Sequence, residues 1–505
     1  MAFVPQGVEG VKPSVVADIE QAKEKRDQKK RDKAKGEDGE RKPPEPSAEL
    51  LFAQAVKAND DLRIGGRQEN GDIEQSLYRW TGGHWSLLHD ALARKVALDW
   101  LMARRKHQCT QQTARSALAT AMDFMVDEPA QMLSSLEGKH DTAVIPVEEA
   151  YLRIEKDGII RPLRPTRDLG LTYTVPAAFD WARCNGDGTY APRPVDPTSA
   201  FGRYLDRFMP DLAVRRLLQE AAAASVLPTN FEVAWVLSGS GSNGKSTFLH
   251  LLRRIHPFNT SLRLKNASDR FGFQNIAGKT LVIASEVPDF IGKDAEQNLK
   301  SLISRDPIEV EKKKRDSISI VPRATLFLAM NEPIKFTDYT YGNERKYQTI
   351  PFTVRMAKDS PDRVRDYHKL ITDDPAEMAV VLDWILEGAV RLQRQGGFSK
   401  LPESVDAYTK KSRLLTDNVA AFLHEHEARH DGDAWTPKMA IYTAYKEYCL
   451  ERTLKPVSEP SFWTRVRETY ERDGIALGDK QVHSKAGRAR AVQLRVVGVP
   501  AALER

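Results

Sequence analysis

Residues 238–247 read Ser-Gly-Ser-Gly-Ser-Asn-Gly-Lys-Ser-Thr. An apolar run over residues 231–237 precedes them and predicts a strand; residues 248–252 open a predicted helix. A strand, then G-x-x-x-x-G-K-S, then a helix is the phosphate-binding loop of a nucleotide triphosphatase. Gly239, Gly241 and Gly244 let the backbone turn tightly, so that several N–H groups face one phosphate cluster. The helix beginning near Lys245 adds its positive dipole end. Gly239, Gly241, Asn243, Gly244, Lys245, Ser246 and Thr247 are the expected ATP-binding residues. Lys245 suits the β- and γ-phosphates and Ser246 suits Mg²⁺.

A chain of 505 residues has room for about three domains. Its net charge of +6 permits a nucleic-acid partner without establishing one. Cys109, Cys184 and Cys449 lie far apart and form no C-x-x-C pair. Neither a disulfide framework nor a zinc site is expected, and a reducing cytosol is the expected compartment. The amino terminus lacks a signal pattern. No apolar run approaches the ~20 residues of a spanning helix, so no membrane partner is expected.

Residues 1–48 are densely charged and close on Pro43-Pro44-Glu45-Pro46, which predicts a disordered tail. Residues 49–200 read as a mostly helical accessory domain. A hairpin is expected where 77–80 and 84–88 flank Thr81-Gly82-Gly83, with helices over 92–101 and 110–125 and a linker over 180–197. Residues 201–400 alternate strands and helices as a nucleotide-binding α/β domain does, ending in a helix over 374–396. Its apolar face is Met378, Val381, Leu382, Trp384 and Ile385. Residues 410–505 predict helices around 419–423, 439–450 and 461–470, then a strand pair at 474–477 and 492–497. That is the order of a winged-helix module.

Around the loop, residues 280–286 read as a buried strand ending in Glu286, a candidate for holding Mg²⁺ or polarising the attacking water. Asp289 is a weaker candidate. The strand over 324–330 ends in Asn331, whose amide can position water without repelling the γ-phosphate. Arg345 suits neutralisation of transition-state charge, and if it reaches a neighbour's ATP the active unit is an oligomer. Between the strands, alternating flanks at 306–310 and 317–321 enclose Lys312, Lys313, Lys314 and Arg315, a β-hairpin with a basic tip suited to a phosphate backbone. Lys480, Lys485, Arg488 and Arg490 form a basic wing candidate at the carboxyl end.

Taken together, these motifs resemble the superfamily 3 helicases of the phage and plasmid primase–helicase family, related to the poxvirus primase-helicase. The resemblance covers roughly residues 60–500 and is most specific at 231–353, where the loop, the strand at 281–286, residues 299–306, the basic hairpin, Asn331 and Glu344-Arg345-Lys346 all match. It implies an α/β fold: a P-loop AAA+-type ATPase core with the accessory domain before it and a winged helix after it. It implies a hexameric ring that uses ATP and Mg²⁺ to translocate 3′ to 5′ on single-stranded or forked DNA in the replication of a phage, plasmid or integrated mobile element, in the cytoplasm of a bacterial host. On that pattern Lys245 and Ser246 bind phosphate and Mg²⁺, and Glu286 is the Walker B acid. Asn331 is the first sensor, Arg345 the trans-acting finger, and Lys312 to Arg315 the tracking hairpin. Two departures stand out: Ser304-Arg305 replace a common glycine pair, and no pair of metal-binding acids precedes the helicase region. Primase activity is therefore expected outside this polypeptide, and the expected protein partner is a separate primase or a single-strand-binding protein. The alternative is an initiator or loader that binds and melts origin DNA without processive unwinding.

Overall fold

The computed structural model describes residues 45–69, 72–124, 143–269, 272–285, 291–310, 318–333, 345–357, 359–360, 363–484 and 487–500. In the amino-terminal part, helix α1 (Ala48–Lys57) is capped by Ser47 and leads into three antiparallel strands, β1 (Leu62–Glu69), β2 (Asp72–Trp80) and β3 (Trp85–Leu87). Ile64 pairs with Leu77, and both are buried against helices α2 (Asp90–Arg104) and α3 (Gln111–Phe124). A second antiparallel sheet follows, of β4 (Ala143–Val147), β5 (Ala150–Ile154) and β6 (Ile160–Leu163). The expected hairpin and both helices are present. The expectation of a mostly helical region is corrected: six strands share it with three α-helices among the described residues, the first sheet burying Ile64 and Leu77 against the helices and the second burying β4 and β5 along most of their length.

The expected linker over 180–197 is also corrected. Tyr190 is buried and donates its hydroxyl to Asp383, whose second oxygen receives Arg183 Nη2 at 2.6 Å. Asp383 lies on the long helix α9 described below, so this segment is seated on the helix. One buried cluster accordingly runs from Ala143 through Val405, across residue 200.

The central sheet has five parallel strands. Helices α4 (Ala200–Phe208) and α5 (Leu212–Val226) precede β7 (Ala234–Ser238), and α6 (Lys245–Ile255) follows it. Then come β8 (Asn259–Ser261), β9 (Leu281–Ala284), α7 (Lys293–Ser304), a short antiparallel pair β10 (Ile308–Val310) and β11 (Ile318–Ile320), β12 (Thr325–Met330) and β13 (Tyr347–Pro351). The spatial order is β13-β7-β12-β9-β8. Alternation along the strands sorts side chains to two covered faces, as a parallel sheet requires. Trp235, Leu237, Ile283, Phe327 and Ile350 face one core, whereas Val236, Val282, Ala284, Leu326 and Leu328 face the other. The strand expected over 231–237 begins three residues late because Glu232 adopts φ 52°, which strand pairing does not accommodate.

Helix α8 (Tyr367–Thr372) leads to α9 (Pro375–Gln395), which starts on an Asp374 cap with Pro375 in its first turn and ends on Gly396 at φ 66°. The predicted face of Met378, Val381, Leu382, Trp384 and Ile385 is buried. Gly388 permits close approach to α5, where a Cβ would lie 2.9 Å from the Gln219 carbonyl oxygen.

The carboxyl-terminal part comprises α10 (Glu403–Thr416), α11 (Asn418–Glu425), β14 (Arg429–His430), β15 (Thr436–Pro437), α12 (Lys438–Glu451), α13 (Glu459–Glu471), β16 (Asp479–Ser484), β17 (Gly487–Val492) and β18 (Leu494–Arg495). The three predicted helices surround a separate aromatic core. The predicted final strand pair is corrected: β16 pairs with β17, and 474–477 is not a strand. Gly474 at φ 74° and the bond from Ile475 N to the Tyr470 carbonyl instead close α13. No helix among the described residues is long and apolar enough to cross a membrane.

Candidate nucleotide-binding site

The loop after β7 lies where the sheet changes direction. The chain leaves β7 for β8 at one edge, returns through β9 and β12, and finishes on β13 at the other side of β7. A crevice at the carboxyl ends of the strands is the expected ligand position in such a sheet. Gly239 cannot carry a side chain, because a Cβ would lie 2.2 Å from the Phe352 carbonyl oxygen. Gly244 sits at φ 87° with the Phe208 ring against it, and Ser242 takes φ 55°. The segment after β13 fixes the loop: Asn243 Nδ2 donates to the Phe352 carbonyl at 3.1 Å, and Met356 N donates to the Ser242 carbonyl at 2.9 Å.

Lys245 is buried at the first position of α6. Its Nζ donates to the Gly239 carbonyl, to Asn243 Oδ1 at 3.2 Å and to Asn331 Oδ1 at 3.3 Å. Burial lowers the ammonium's pKa below its ordinary value. Asn331, just past β12, thus joins the loop from the next strand, and Gly241 N also points to its Oδ1, at 3.5 Å. Ser246 is exposed and Thr247 half-buried on the same cavity wall.

The cavity, about 410 Å³, has walls that the sequence did not single out. Helix α4 contributes Arg203, Tyr204, Arg207 and Phe208, and the stretch before α8 contributes Arg363. Tyr204 donates its hydroxyl to the Gly244 carbonyl at 3.1 Å. Both oxygens of Glu377 on α9 accept the first backbone N–H groups of α4, at 2.7 and 2.9 Å, so α9 orients the helix that carries this wall. The i, i+4 arginines and aromatics of 203–208 were the available signal.

Arg345 is exposed two residues before β13. Tyr347 pairs with Ala234 and Pro351 with Ser238, so Arg345 stands at the opposite end of the sheet from the loop, about 20 Å away at ~3.3 Å per residue. The chain does not bring Arg345 to its own phosphate loop. Glu286 and Asp289 lie outside the described residues, as do Lys312, Lys313, Lys314 and Arg315; the flanks of that basic run do pair, Ile308 with Ile320. Arg305, at φ 61°, closes α7 where glycine is the usual residue, and its Nη1 donates to the Pro228 carbonyl at 3.0 Å. At the carboxyl end Arg488 and Arg490 are exposed on β17, and Lys485 lies outside the described residues.

Residues 237–346 match the profile of a family of unknown function (DUF5906). Among solved structures, the A form apo structure of the NrS-1 C-terminal region is 15% identical, with 71% of this chain and 96% of that chain covered and a TM-score of 0.35. The apo structure of the NrS-1 C-terminal region (305-718) is 14% identical, with 70% and 96% covered and a TM-score of 0.35.

Proposed function

We propose that this chain is an ATP hydrolase that acts on DNA as a replicative helicase of the superfamily 3, AAA+-like type. The observation that carries the reading is the convergence of Lys245 Nζ and Asn331 Oδ1 on a glycine-shaped loop at the switch point of a parallel sheet. Backbone N–H groups of the loop and the N-terminus of α6 bind the phosphates, and the Lys245 ammonium supplies the charge on the β- and γ-phosphates. Asn331 orients the attacking water. The exposed hydroxyl of Ser246, with Glu286, would hold Mg²⁺, which when bound neutralises phosphate charge.

Arg345 acts on a neighbouring copy's ATP, so the working unit is a ring, a homo-hexamer on the family pattern. Lys312 to Arg315 grip single-stranded DNA and Lys485, Arg488 and Arg490 contact the duplex through a winged-helix end. The role is in replication of a phage, plasmid or integrated mobile element, with a separate primase or single-strand-binding protein beside it.

The test measures ATP hydrolysis and displacement of a strand from a tailed duplex. Lys245→Ala should lower kcat by ~10²-fold or more, the scale of losing one transition-state donor. Equal hydrolysis by parent and variant overturns the reading. Strong DNA-stimulated hydrolysis without displacement replaces the helicase with the initiator or loader.

A further inference from the structure

A second cavity, about 490 Å³, opens in the amino-terminal part, away from the phosphate loop. Three elements build it. Helix α2 presents Val96, Trp100 and Arg104 at successive i+4 positions, hence on one face. The end of β2 adds Arg79 and Trp80, and α1 with its following turn adds Phe52 and Asn59. Phe52 is fully buried, and Trp100 meets it edge-on at 5.6 Å. Trp80 is braced by Trp85, edge-on at 5.4 Å, and by the Arg167 guanidinium, 5.5 Å from its ring centre.

The charge around the cavity is one-sided. Among the described residues its only lining carboxylate, Asp61, is bound by Arg167 at 2.6 Å. Arg79 and Arg104 are exposed on the rim, and among the described residues neither has an ion-pair partner. Half-buried indoles beside uncompensated guanidiniums match one chemistry, a flat heteroaromatic ring carrying a phosphate. Bases stack on aromatic rings without regard to sequence, and arginines take the backbone charge.

We infer that this cavity is a docking site for single-stranded DNA, with a base against Trp80 and Trp100 and the adjoining phosphates at Arg79 and Arg104. The two exposed guanidiniums on the rim, Arg79 and Arg104, offer places for more than one phosphate, which a strand supplies along its backbone. The cavity shares no lining residue with the one at the phosphate loop, so stacking of a base here does not require a nucleotide at Lys245.

The test uses the full chain without ATP. Binding of a labelled oligothymidylate of roughly 15 nucleotides is compared with that of an abasic strand of equal length across a salt series, by anisotropy and indole fluorescence. The parent should prefer the base-bearing strand by about 5- to 150-fold, and Trp100→Leu should remove most of that preference. The double variant Arg79→Gln/Arg104→Gln touches only exposed positions. It should flatten the slope of log affinity against log salt by about 0.7 for each phosphate that is no longer neutralised, leaving DNA-independent ATP hydrolysis and melting temperature unchanged. Lys245→Ala should keep the base preference, so failure of the ATPase reading and failure of this one are read separately. An unchanged salt slope in the double variant, an unchanged base preference in Trp100→Leu, or binding of thymidine monophosphate but not the oligonucleotide would each overturn the inference.

Discussion

Gly244 holds two jobs at one atom. Its φ of 87° starts α6 from the left-handed region, and a Cβ there would meet the Phe208 ring at 2.7 Å. Alanine therefore suffers a backbone penalty of about 1–2 kcal/mol and displaces an aromatic ring. Gly244→Ala should lower the unfolding free energy by about 1–3 kcal/mol and weaken ATP binding. Thermal unfolding and nucleotide titration check this, and parent-like values in both would exclude the Phe208 ring as a constraint on the loop. The positions of the glycines, Lys245 and Asn331 were legible in the sequence because each is set locally: by a dihedral, a first helical turn, a strand end. Arg203 and Phe208 were not, because helix spacing says that a face exists without saying what it faces.

Helix α6 ends on His256, which is buried and placed between two hydroxyls, Ser225 Oγ at 3.0 Å from Nε2 and Thr280 Oγ1 at 3.0 Å from Nδ1. Burial pushes its pKa down to about 3 from 6.5. Between those values the unfolded chain binds a proton that the folded chain does not. Stability is full above the unfolded pKa and falls as pH drops from about 6.5 toward about 3, by up to a few kcal/mol. In His256→Gln the pH dependence of unfolding should lose about one proton across this window, even if the variant is less stable throughout. An identical slope would mean that His256 does not carry the acid sensitivity. Elements were most readable where periodicity was long, as in Pro375–Gln395, whose predicted face is the buried one. They were least readable where a single dihedral decided: Glu232 delays β7, and Gly474 turns an apolar run into a helix stop.

Across the whole molecule, pairings distant in sequence join the parts. Asp383 ties residues 183 and 190 to α9, and Glu377 ties α9 to α4. No local pattern announces such pairings, so the segment over 180–197 reads as a linker from composition and docks through one buried carboxylate. The proposed trans role of Arg345 belongs to this scale. Arg345→Ala should leave nucleotide binding near the parent's and reduce hydrolysis by ~10³-fold or more. Mixed with parent chain, it should depress the total rate more than in proportion to its share, measured as turnover against mixing ratio. A strictly proportional decline would place Arg345 outside the chemistry.

The strand register sets Arg345 near Ala234, with the phosphate loop beyond Ser238. In a machine built this way, a solitary copy would own a lock and a key that it could never bring together. Turnover would then vanish on dilution faster than the number of molecules falls, and a cell holding few copies would keep its fuel unspent until enough of them met.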